Sequence, residues 1–316
     1  MAQPSSTADS PEDTHQKLSR LIDTKRYIEE PEVLPWYKED LDELKPRTRE
    51  LFEQYCNLAS VDVETHIKTI VIAHPRIRCE WLTIPQRNEA FKVFPYPCVG
   101  NWGFLNLSIS DSPVYSEILQ RIKGGEQYLD IGCCMGQDMR KLVHDGAPSE
   151  NTFGSDLKGD FWGIGYEMFR DKTTLKTKFI QADVFDADSD LKQLDGKISL
   201  VHAASFFHLF DYDRQVKAAK RVVQLLKDEP GVIIFGRQGG KAEAGSFSHP
   251  SCLSVQQAAY WHSPESWEEF WKLAGEETGT NWEVKASLGE EDLSKRMNTN
   301  IVPDGTRFMT FTVRRI

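Results

Sequence analysis

The spacing of apolar positions changes character near residue 127. Before it, Leu51, Phe52, Tyr55 and Leu58 recur at helical intervals, which predicts a helix over residues 44–58. Asp62 is placed to cap a further helix over 63–70, and residues 15–30 and 112–123 read as short helices. Beyond 127, short apolar runs alternate with amphipathic stretches. Strands are predicted at 128–130, 151–157, 178–183, 198–207, 231–235, 282–288 and 307–315. Helices fall between them at 139–143, 161–169, 211–227 behind a cap at Asp211, and 263–273 behind a cap at Ser263. The run 198–207 is apolar throughout, which suits a central parallel strand covered on both faces. The fifth strand is expected to end at Phe235, and GRQGG at 236–240 follows it. The stretch 241–260 is long for a plain connection and reads as a lid. Such alternation is an α/β pattern with a mainly parallel sheet, its last two strands forming an antiparallel hairpin at the edge.

One segment breaks the pattern. Residues 71–86 carry Pro75 and Pro85, which a helix interior does not tolerate, and the helical spacing resumes if Ile70 is joined to Arg87. The segment is either an inserted surface loop or the translation of an unspliced intron.

The richest chemistry lies in QYLDIGCCMGQD, residues 127–138. A short apolar run meets Asp130, turns through Gly132 and Gly136, and enters a helix, the opening of a nucleotide-binding α/β unit. Phosphate-binding versions, G-x-G-x-x-G, carry their second glycine where this chain has Cys134, and an acid at Asp130 would repel a phosphate. A carboxylate there suits a cationic amine, which points to S-adenosylmethionine. Asp156 ends the second strand about twenty residues on, where an acid can accept both ribose hydroxyls. Asp183 ends the third, where it could take an adenine amino group. A plain strand-turn-helix without ligand explains any one of these acids, but less readily three at successive strand ends.

Composition narrows the partners. The formal net charge of −10, with no compensating basic block, argues against nucleic acid. No apolar run approaches ~18 residues, so no membrane span is expected. Six cysteines include no C-x-x-C pair, and Cys133 and Cys134 are adjacent, which reads as a reduced, cytoplasmic chain without a metal framework. A small-molecule substrate is expected, and a homodimer is compatible with the chain.

LDIGCCMGQDMRKL, DGAPS, FGSDL, GYEMF, IQADVF and FFHLF, together with FGRQGG, YWHSPESW and the upstream PYPCVGNWGFL, resemble the class I methyltransferases of fungal meroterpenoid and related secondary-metabolite clusters. The resemblance runs from about residue 35 to the C-terminus and departs at 71–86. It implies an S-adenosylmethionine-dependent O-methyltransferase with a Rossmann-like seven-stranded sheet and an N-terminal helical cap. The expected organisation is a disordered tail at 1–14, a cap at 15–123 with its atypical insertion at 71–86, and the cofactor-binding domain at 124–316. Carried over residue by residue, Asp130, Gly132, Cys134 and Gly136 line the methionyl side. Asp156 and Leu157 take the ribose and adenine, and Asp183 and Val184 the adenine edge. In several members the product is a methyl ester of a terpenoid acid. A carboxylate needs donors rather than a base, and His208, Arg237 and Gln238 are the candidates at the sheet edge, with His262 reaching from the lid. Salt-bridge or packing roles remain open for Arg237 and His208. His202, inside an apolar strand, reads as a satisfied core residue. A phenol or enol acceptor, which would want a base, stays open as an alternative, as does a non-catalytic binding subunit.

Overall fold

The computed structural model describes residues 36–72, 89–247, 258–297 and 302–316. The expected tail at 1–14, the helix at 15–30, most of the segment 71–86 and the middle of the stretch 241–260 lie outside the described residues.

Seven strands form one sheet in the order β3-β2-β1-β4-β5-β9-β8. They are β1 (Tyr128–Ile131), β2 (Thr152–Asp156), β3 (Lys178–Gln181), β4 (Leu200–His202), β5 (Ile233–Gly240), β8 (Trp282–Leu288) and β9 (Arg307–Arg315). The first five are parallel, and β9 runs antiparallel between β5 and β8. Strand order reverses between β1 and β4, so the crevice outside their carboxyl ends is where an open α/β sheet binds ligands. Every residue of β1 and of β4 is buried, as a strand covered on both faces requires.

The chain before the sheet is helical: α1 (Pro46–Glu50), which continues as a π-turn over Leu51–Tyr55, then α2 (Val63–Ile72), α3 (Glu89–Val93), α4 (Pro97–Gly100) and α5 (Tyr115–Lys123). The single helix expected over 44–58 is thus two geometries, and Asp62 lies in a 3-10 turn ahead of α2. The sheet then carries α6 (Gln137–His144), α7 (Asp160–Phe169), α8 (Tyr212–Leu225), α9 (Pro264–Thr278) and α10 (Leu293–Met297). Ile234, Phe311 and Val313 pack with α8 and α9 on one face, through Val222, Trp267 and Trp271. Tyr128, Leu200 and Phe235 pack with α5, α6 and α7 on the other, through Ile122, Leu142 and Trp162. A third core joins Phe52, Ile67 and Phe91 of the N-terminal helices to Phe161 and Phe169 of α7. Among the described residues no helix is long and apolar enough to cross a membrane.

Two expected boundaries move. The apolar run 198–207 is a strand only over β4; Ser205 then takes a left-handed φ of 52°, and Phe207–Leu209 is a 3-10 turn that buries Phe207. The fifth strand does not end at Phe235 but runs on through the glycines at 236–240. They extend β5 because β9 pairs with it residue by residue, from Ile233↔Arg314 to Gly240↔Arg307. Gly236 is there for close approach, since a Cβ would come within 2.4 Å of the Ala203 carbonyl oxygen. Within the expected lid, β6 (Gly245–Phe247) pairs antiparallel with β7 (Ala259–Trp261).

Candidate active site

The turn after β1 places three residues in the left-handed region at alternate positions: Gly132 at φ 73°, Cys134 at 51° and Gly136 at 68°. Cys134 therefore keeps the backbone shape of a three-glycine turn, at a strain that a β-carbon makes about 1–2 kcal/mol. Gly132 is exposed at the carboxyl end of β1. Gly136 is buried, and a Cβ on it would come within 2.5 Å of Trp162 and 2.7 Å of Arg140. Its nearest neighbours are thus protein groups. Arg140, fully buried, donates to the Met135 carbonyl at 2.5 Å and to both oxygens of Asp171 at 2.7 and 3.0 Å. Tyr55, from the N-terminal helices, donates to the same Asp171 at 2.8 Å.

Each acid at a strand end has a partner. One oxygen of Asp156 accepts from the backbone N–H of Cys134 and the other from that of Lys158, both at 2.9 Å. Burial raises the Asp156 pKa against the pull of those two donors. Carboxylate oxygens carry spare lone pairs, so this tie to the turn leaves acceptor capacity. Leu157 beside it is 37% exposed, one of the few large apolar side chains left open among the described residues. Asp183 accepts from the Phe185 N–H at 2.9 Å, with Val184 buried next to it. Asp130 is almost fully buried and accepts from Nδ1 of His202 at 2.9 Å.

His202 belongs to a polar layer on the α5–α6 face of the sheet. Asp138, in the first turn of α6, is 4% exposed and accepts from the Ile109 N–H. Burial raises the Asp138 pKa, with Asp130 adding to it and His202 opposing. Burial pulls the His202 imidazole down, but Asp130 and Asp138 outweigh it and its pKa is raised. Next to this layer, Ser108, Ile109, Asp111, Ser112, His202, Gly236, Arg237 and Thr310 line a cavity. The Arg237 guanidinium lies over the Phe308 ring, 3.8 Å from its centroid.

The expected substrate residues do not all converge. Arg237 and Gln238 are consecutive in β5 and lie on opposite faces of the sheet. Gln238 pairs with Met309 on the face of α8 and α9, is 1% exposed, and has neither amide atom hydrogen-bonded. His208 stands on the Arg237 side, where its Nδ1 accepts from the Gly239 N–H at 2.6 Å. That bond uses the Nδ1 lone pair, so the neutral ring carries its proton on Nε2 and is a donor there. His262 is not a donor to substrate. It is fully buried between Ser266 and Gln215, and burial brings its pKa down to about 3.

Four residues here were not among the sequence candidates. Asp138 could have been found, because it shares a helix face with Leu142 four residues on. Tyr96 and Cys98 sit beside Cys134 and Asp156, and burial together with Asp156 pushes the Cys98 thiol up to about 11. Only the aromatic density of PYPC hinted at them. Ser205 gave no local signal for its left-handed turn.

Residues 36–105 match the family described as meroterpenoid methyltransferase N-terminal domain, and residues 129–229 match the methyltransferase domain family. The chain is 41% identical to O-methyltransferase phiE from Fungal sp. (strain ATCC 74256), covering 89% of this chain and 92% of that protein. It is 38% identical to the asnovolin E/chermesin D methyltransferase nvfJ of Aspergillus novofumigatus, covering 78% and 82%. Among solved structures, a Haemonchus contortus phosphoethanolamine N-methyltransferase 2 aligns with a TM-score of 0.45 at 16% identity, covering 71% of this chain and 57% of that one.

Proposed function

This chain belongs to the S-adenosylmethionine-dependent methyltransferases of fungal secondary metabolism, and from that premise we propose that it forms a methyl ester on a terpenoid or meroterpenoid carboxylic acid. The residues at the crevice fit the cofactor. A glycine turn open at Gly132 and flanked by acids suits a cationic amino-acid tail joined to a nucleoside, and exposed Leu157 offers an apolar wall. In this reading Asp130 takes the methionyl ammonium, with the backbone of Gly132, Cys134 and Gly136 shaping the turn. Asp156 takes the ribose hydroxyls, Leu157 and Val184 flank the adenine, and Asp183 accepts from its amino group. When bound, the cofactor supplies a methyl group already activated on a sulfonium.

What remains for the chain is to hold the acceptor and exclude water. The observation that carries the ester reading is the His208 tautomer: the Gly239 N–H occupies Nδ1 and the proton of the neutral ring sits on Nε2, so the ring is not poised as a base. A carboxylate, ionised at neutral pH, needs donors alone. Arg237 can pair with it through two parallel N–H bonds, with Ser108, Ser112 and Thr310 lining the same cavity. Gln238, on the other face of β5, does not line this cavity.

The pH profile tests this. The catalytic rate constant should stay nearly flat above the acceptor's own carboxyl pKa, and Arg237→Ala should raise KM for the acid by roughly tenfold or more through a lost charged pair. A rate that climbs through a group titrating at about 6–7, and loses that climb in His208→Gln, would assign a phenol or enol acceptor instead.

A further inference from the structure

We propose that His202 is a positioning residue for the methionyl end of the cofactor: it holds one oxygen of Asp130 and leaves the other for the ammonium. The inference rests on the reading that Asp130 contacts that ammonium. Its geometry is set by the sheet. Parallel pairing of β1 with β4 puts Asp130 and His202 side by side, with Nδ1 2.9 Å from Oδ1. They are 3% and 2% exposed. A carboxylate only accepts, so Nδ1 carries the proton. The ring has little room to turn, flanked by Tyr128 at 6.5 Å and by Phe235 at 5.0 Å between centroids.

Among the described residues His202 is the one side chain hydrogen-bonded to Asp130. An ionised carboxylate this buried cannot stay unpaired without cost. Deprived of the ring, the carboxylate would lose the side-chain donor that fixes its orientation and would rotate toward another donor, which misaligns the oxygen presented to the ammonium.

The test is calorimetric binding of S-adenosylhomocysteine and of 5′-methylthioadenosine, which keeps the nucleoside and thioether but has no ammonium or carboxylate. His202→Phe should weaken S-adenosylhomocysteine roughly tenfold or more while moving 5′-methylthioadenosine less than about twofold. His202→Asn places an amide N–H near the Nδ1 position and should recover most of the affinity, whereas His202→Gln places it too far out and should not. Equal loss of both ligands, or equal S-adenosylhomocysteine affinities for the Asn and Gln variants, would overturn the proposal even if the Phe variant does not fold. Asp130→Asn separates the two levels. If it too leaves S-adenosylhomocysteine binding unchanged, the Asp130 assignment itself fails. If it weakens that ligand selectively and the His202 variants do not, only the positioning role fails.

Discussion

Asp156→Ala should weaken binding of S-adenosylhomocysteine by about 1.5–3 kcal/mol, the range for hydrogen bonds to a charged group. The expected effect has two sources. The carboxylate is the proposed acceptor for the ribose hydroxyls, and it also fixes the turn by accepting from the N–H groups of Cys134 and Lys158. Asp156→Asn separates them. Its amide oxygen can still accept one backbone N–H, so the melting temperature should move little while affinity still falls with the lost charge. Titration calorimetry on both variants reads the affinity and thermal unfolding reads the turn. Unchanged affinity in Asp156→Ala would remove this acid from the cofactor site.

Arg140→Leu should destabilise the fold by about 3–5 kcal/mol, because breaking a buried ion pair strands the remaining charge. Asp171 is 2% exposed and would keep only the Tyr55 hydroxyl of its side-chain donors, and the Met135 carbonyl would lose its donor as well. Arg140 connects the N-terminal helices to the glycine turn, so the variant should also bind S-adenosylhomocysteine more weakly than stability alone explains. Denaturant midpoints measure the first effect. The double variant Arg140→Leu with Asp171→Leu removes the stranded charge and should recover much of the loss. A single variant within about 1 kcal/mol of the wild type would mean that the pair contributes little, as exposed pairs do.

How far the sequence carried this picture depends on how local each signal is. The turn at 132–136 was legible because strand, glycines and helix follow one another within a dozen residues. The strand-end acids were legible for the same reason, each closing its own apolar run. β5 extends beyond Phe235 without a local signal, because its partner β9 lies some seventy residues further on, and glycines that let Ala203, His208 and His262 approach closely look like turn glycines when read alone. The run 198–207 read as one strand because Phe206 and Phe207 are apolar for a different reason: both turn back into the core after Ser205 reverses the backbone. His202 was correctly read as a satisfied residue, but its partner could not be seen, since only sheet register brings it to Asp130. His262 was misplaced because a lid position suggested exposure, whereas it packs beneath α9 against Gln215. The link through Tyr55, Asp171 and Arg140 joins positions too far apart in sequence for any spacing rule.

Methylation of a carboxylate is tested most directly by locating the transferred methyl group. The enzyme would be incubated with methyl-labelled S-adenosylmethionine and a panel of terpenoid and aromatic acids, and the products treated with mild alkali before mass spectrometry. Release of the label as methanol, with the free acid regenerated, is the predicted result. Label that survives saponification on a phenol or enol oxygen would contradict it.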